Sequence, residues 1–111
     1  MNRIIKFRAI AKVNQNPTFE FTLEDLMRGK ISIGYPEHWN FNQFTGLTDK
    51  NGKECYEGDL IVRPGYENNP EYHYEVAFRD GAFCIIQQSE MRLTQNDMKL
   101  FVIVGNVYEQ K

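Results

Sequence analysis

The chain of 111 residues has only two cysteines, Cys55 and Cys84, and they lie far beyond the spacing of a zinc knuckle or a CxxC redox pair. A disulfide framework is therefore not expected, and in a reducing compartment both residues act as small apolar groups. No apolar run approaches a membrane span, the longest pieces being short ones such as "FVIVG". The first residues, "MNRIIKFRAIAK", interrupt every apolar pair with a charge and lack the apolar core of a secretory signal. A cytoplasmic protein is the expectation. Neither sign of charge dominates: the net charge is -2 and the pI about 5.7, which argues against non-specific binding to nucleic acid. No glycine leads into Gly-Lys-Ser/Thr, so no phosphate loop is present. His38 and His73 are far apart and lack metal-ligand spacing. Ser32 and Ser89 have no nucleophile-elbow context, and neither cysteine carries a signature of thiol catalysis. Catalytic, cofactor and metal residues are accordingly expected to be absent.

Aromatic residues, by contrast, are plentiful: eight Phe, six Tyr and one Trp, among many Val and Ile. That composition favours strands. Residues 3–13 alternate, with Ile5, Phe7, Ala9, Ala11 and Val13 on one face and Lys6, Arg8 and Lys12 on the other. Period two over that length predicts a half-buried strand. With Arg3, this first segment is purely basic, either a solvated strand face or a binding stripe. "TFEF" is a returning strand, and "TLEDLMR" at 22–28 the best helix, capped by Thr22 and Asp25 and stopped by Gly29.

The stretch "FTGLTDKNGKECYEGDLIV", residues 44–62, carries two turn signals. Asn51-Gly52 predicts a tight hairpin turn between "FTGLT" and "KECYE". Gly58 and Asp59 predict a second turn that launches "LIV". Glu57 and Asp59 form a carboxylate pair that either shapes this turn or binds a cation or does acid-base work. Residues 63–74, "RPGYENNPEYHY", are a turn-rich loop, and Gly81 closes a hairpin between "YEVAF" and "FCIIQ". Residues 89–99 read as a loop with one helical turn, "LFVIV" as a strand, and "GNVYE" as a turn and a short final strand. Short strands joined by hairpins, with one helix, predict a small antiparallel barrel or rolled sheet. A shift in composition near residue 43 suggests strands and a short helix over 1–43 and a barrel core over 44–109, within one domain of 1–111.

Four segments then occur in a recognisable order: "IKFRA" at 5–9, "FTGLTDKNGKECYEGDLI" at 44–61, "FRDGAF" at 78–83 and "VGNVYE" at 104–109. Together they resemble the YopX family of small proteins carried by phages and prophages. Cys55 stands where that family usually has an aliphatic residue. The resemblance implies a mainly β fold with an SH3-like barrel in the C-terminal part. It brings no catalytic residues and no established activity.

Two functions follow as expectations. The first is a non-enzymatic module that binds a host or phage protein, or a second copy of itself. Its signal is the surplus of aromatics in loops, at Tyr35, Trp39, Tyr66, Tyr72 and Tyr74, with His73 among them. The second is a nucleic-acid-binding small barrel that uses Arg3, Lys6, Arg8 and Lys12 for phosphates.

Overall fold

The computed structural model describes residues 5–12, 18–29, 36–79, 81–86 and 90–108. Nine strands and two short helices follow in order: β1 (Lys6–Ala11), β2 (Thr18–Thr22), α1 (Leu23–Met27), β3 (Trp39–Thr48), β4 (Glu54–Tyr56), β5 (Asp59–Val62), β6 (Tyr74–Arg79), β7 (Ala82–Ile86), β8 (Glu90–Arg92), α2 (Gln95–Met98) and β9 (Val102–Asn106). They form two antiparallel sheets, one of four strands in the order β2-β1-β3-β4 and one of five in the order β8-β7-β6-β5-β9. The protein is thus mainly β. The expected barrel does not close: among the described residues β8 and β9 end the second sheet and do not pair. The expected division near residue 43 falls inside β3, which pairs with β1 through its first half and β4 through its second.

The local signals explain most of these elements. Thr22 Oγ1 accepts from the Asp25 N–H at 3.0 Å and the Asp25 carboxylate accepts from the Thr22 N–H at 3.1 Å, a reciprocal cap that starts α1. The same pairing of Thr94 and Asp97 starts α2. The β3–β4 turn is one residue longer than the expected Asn-Gly turn. Asp49 and Lys53 close it, the Gly52 N–H donates to the Asp49 carbonyl, and Gly52 sits at φ 82°. This is a three-residue hairpin loop with glycine in the left-handed position. Residues 107–108 form a turn and not the short final strand the pattern predicts.

The main core lies on the second sheet. Cys55, Ile61, Val76, Ile85, Leu93, Met98 and Phe101 are buried together, with Leu47, Tyr74 and Ile103 packed at its margin. A second apolar cluster occupies one face of the first sheet. There Phe19 meets Trp39 edge-on at 5.1 Å, and Phe21 touches Phe7 at 5.6 Å and Phe41 at 6.4 Å. Strand alternation then puts Lys6, Arg8 and buried Ile10 on the opposite face, which turns toward β4 and β5: Lys6 pairs there with Glu54 and Arg8 with Asp59.

Three contacts tie the sheets together at the β3–β4 turn. The Asp49 carboxylate accepts from Asn51 and Lys53 within the turn and from the Ile103 N–H of β9 at 3.0 Å. The Lys50 N–H donates to the Phe101 carbonyl at 2.9 Å. Gln95 of α2 brackets Thr48, accepting from its N–H and donating to its carbonyl.

Candidate functional site

The "YEGD" turn between β4 and β5 forms the polar centre of the molecule. Asp59 is only 2% exposed. One carboxylate oxygen accepts from Arg8 Nη1 at 2.7 Å and the other from the Tyr56 N–H at 2.8 Å. Arg8 also donates to Asn42 Oδ1 from Nε and Nη2, and its guanidinium lies 4.8 Å from the Tyr56 ring centroid. Asn42 in turn donates to the Tyr108 hydroxyl at 2.7 Å. A strand near the N-terminus, the middle of β3 and the β4–β5 turn thus meet at one guanidinium, and the C-terminal turn joins them through Asn42. Burial pushes the Asp59 carboxyl above its usual range, while Arg8 and the Tyr56 N–H pull it back. The pair is a specific connector whose members each need the other.

Glu57 and Asp59 do not form a carboxylate pair facing one ligand. Glu57 Oε1 accepts from the Gln43 N–H at 3.0 Å, and the Glu57 N–H donates to the Gln43 carbonyl. One carboxylate pins the turn to β3 and the other anchors Arg8. Gly58 between them adopts φ 88° and packs so closely that an added Cβ would lie 3.2 Å from Tyr108 Cε2 and 3.3 Å from Asn42 Nδ2. Gly81, at the β6–β7 turn, also has a positive φ, of 81°. Among the described residues no cluster of three or more His, Cys, Asp or Glu is placed to hold a metal ion.

The basic strand is equally committed. Lys6 Nζ contacts the Glu54 carboxylate at 2.6 Å and lies 4.7 Å from the Phe44 ring centroid. Lys6 and Arg8 are therefore paired on an inward face, while Lys12 is exposed and Arg3 lies outside the described residues.

In the β5–β6 loop two tyrosines reach solvent, as Phe41 and Phe78 do on the strands. Tyr66 and Tyr72 are 48% and 45% exposed, and their ring centroids lie 4.8 Å apart. The loop is ordered by its own hydrogen bonds. The Tyr66 N–H donates to the Arg63 carbonyl, the Asn69 N–H to the Tyr66 carbonyl, and the Tyr72 N–H to the Asn69 carbonyl. Asn69 caps the 3-10 turn Pro70–Tyr72. His73 Nε2 bonds the Glu67 carbonyl at 3.0 Å, whereas its Nδ1 is buried without a partner, so His73 acts inside the loop. Tyr74 departs from the expected surface: it packs edge-on against Phe101 at 5.8 Å at the margin of the core. Trp39 likewise belongs to the aromatic cluster of the first sheet, and Tyr35 lies outside the described residues.

With this geometry in place, comparison with known proteins identifies the family. The model of the family described as YopX protein matches residues 4–111. The chain belongs to the YopX family. Among solved structures, this YopX chain is similar to the crystal structure of protein EF1440 from Enterococcus faecalis. The TM-score is 0.64 and the identity 19%, over 96% of this chain and 95% of that one. At that identity the likeness concerns the fold. A search of curated proteins gives no significant match.

Asn42 and Tyr108, central to the site, and Asp49, which ties the β3–β4 turn to β9, carry weak sequence signals or none. Asp49 is detectable as the first residue of a turn, a position that favours Asp. Asn42 and Tyr108 have no local signature, because their partners are far away in sequence.

Proposed function

We propose that this YopX protein is a non-enzymatic protein-interaction module encoded by a phage or prophage and acting in the cytoplasm of a bacterial host. The observation that carries the reading is the ordered β5–β6 loop with Tyr66 and Tyr72 in tilted ring contact and half exposed. Paired rings held by a self-bonded loop offer apolar area with little side-chain freedom left to lose, as protein interfaces favour. The carboxylates that invite a catalytic reading are occupied by backbone and Arg8, which weighs toward a non-enzymatic role. What supports the phage origin is the family membership. The SH3-like reading of the second sheet is supported by its connectivity. Strands β5 to β8 form a meander, α2 is a single helical turn, and β9 returns beside β5. Binding of nucleic acid through the N-terminal strand is disfavoured by the pairing of Lys6 and Arg8.

The test is affinity capture from bacterial lysate, with and without nuclease, using wild type and Tyr66→Ala/Tyr72→Ala. The proposal expects a protein partner that survives nuclease and is lost with the tyrosines. Capture that is unchanged in the double variant, or abolished by nuclease, would contradict it.

A further inference from the structure

At one end of the second sheet the fold gathers cations that form no salt bridge among the described residues. Lys50 and Lys53 lie in and beside the β3–β4 turn, Lys99 follows α2, and Arg63 follows β5; all are exposed. The Lys50 N–H bonds the Phe101 carbonyl, so the turn touches the segment that carries Lys99. Val62 pairs with Val102, which brings Arg63 to the same junction. Among the described residues the salt bridges are Lys6–Glu54, Arg8–Asp59 and Arg28–Glu24, and none uses these four cations. The carboxylates on the same segments keep their charge but are fixed in place by backbone N–H groups. Asp49 accepts three backbone N–H groups, Asp97 caps α2, and Glu67 accepts from the Gly65 N–H. Tyr66 rises directly from Arg63, its N–H bonded to the Arg63 carbonyl at 3.1 Å.

We propose that this end binds the phosphate backbone of a single-stranded nucleic acid through Lys50, Lys53, Arg63 and Lys99, with Tyr66 as a stacking surface for a base. Unpaired cations beside an exposed ring are the elements of sequence-tolerant single-strand binding. The site is separate from the basic N-terminal strand, whose inward cations are already paired. The net charge of -2 makes the attraction local, so binding is weak and strongly dependent on salt. With four cations on phosphates, the logarithm of affinity should fall against the logarithm of salt with a slope of about -2.8, about 0.7 per phosphate.

The probe is a fluorescein-labelled oligothymidylate of about 15 nucleotides, long enough for one small-barrel site, read by fluorescence anisotropy over a range of salt. The proposal shares Tyr66 with the protein-interaction reading; the oligonucleotide readout, with Lys50 and Lys99 outside that loop, separates failure of one from failure of the other. Wild type should bind in the micromolar range at about 50 mM salt. Lys50→Ala/Lys99→Ala should weaken binding at least about tenfold and halve the salt slope. Tyr66→Ala should weaken it at least about fivefold, the low end for one stacked base. Lys12→Gln, on the N-terminal strand, should leave it unchanged. Absence of binding up to about 1 mM, unchanged affinity in the Lys50/Lys99 or Tyr66 variants, or an equal loss in Lys12→Gln would each overturn the proposal.

Discussion

Asp59→Ala should destabilise the protein by about 3–5 kcal/mol, the usual cost of removing one partner from a buried ion pair. The Arg8 and Asp59 side chains are 12% and 2% exposed, so water cannot readily replace either of them. Loss of the carboxylate strips Arg8 of its anion and leaves the Tyr56 N–H without an acceptor. Asn42 and the Tyr56 ring still hold the guanidinium, which places the expected cost toward the low end. Arg8→Met should cost a similar amount, because it leaves a buried anion. The double variant removes both charges and should therefore cost about 2 kcal/mol less than the sum of the singles, a coupling typical of groups in contact. Urea unfolding followed by circular dichroism reads this as shifts in midpoint at constant m. Single costs below about 1 kcal/mol, or additivity within about 0.5 kcal/mol, would refute the reasoning.

Gly58→Ala should cost about 2 kcal/mol, combining left-handed strain with the contacts to Tyr108 and Asn42, whereas Gly52→Ala should cost about 1 kcal/mol because its Cβ meets open space; equal thermal shifts would contradict this. Asp49→Ala removes the acceptor of three backbone N–H groups at a buried site and should cost about 3 kcal/mol by urea unfolding. Cys55 and Cys84 are buried thiols outside any disulfide, so a thiol reagent should label neither in the folded protein and both after unfolding without reductant, as read by intact mass. Burial, reinforced by the Asp59 charge, pushes the Cys55 thiol from 9.0 up to about 12. The folded state then keeps a proton that the unfolded state loses, so stability should fall as pH rises from about 9 to about 12, by at most about 1.4 kcal/mol per pH unit. Tyr56, also raised by burial, acts in the same direction above its ordinary value. A Cys55→Val variant should show a shallower alkaline loss in urea midpoint, and an unchanged slope would count against the assignment.

Short-range structure was legible in the sequence, and long-range partnership was not. The Thr22–Asp25 cap, the returning strand from Thr18 and the turns at Gly52, Gly58 and Gly81 follow from residue types a few positions apart. The β3–β4 turn came out longer because Asp49 supplies a side-chain acceptor for two of its backbone N–H groups, which the Asn-Gly pair alone does not signal. Alternation in β1 separated its two faces correctly, but it could not say what either face meets. Lys6 and Arg8 point inward because Glu54 and Asp59 lie there, 48 and 51 residues away in sequence. Likewise Tyr74 belongs to the core margin and Tyr72 to the surface, although both sit in one aromatic stretch. The difference is set by Phe101, supplied by a distant segment. The polar run at 90–98 concealed β8, whereas α2 is the one helical turn expected there, and "TQND" carries the same type of cap that marks α1.

The carboxylate turn is held by backbone and Arg8 and the aromatic loop is the proposed interaction site; one paired measurement addresses that division. Melting temperature and partner capture are read side by side for Glu57→Gln and Tyr66→Ala/Tyr72→Ala. Glu57→Gln keeps an oxygen acceptor for the Gln43 N–H and should change neither reading by much. The tyrosine pair should keep the wild-type melting temperature within a few degrees and lose the partner. If Glu57→Gln abolishes capture at an unchanged melting temperature while the tyrosine variant captures normally, the turn is the site and the account is wrong.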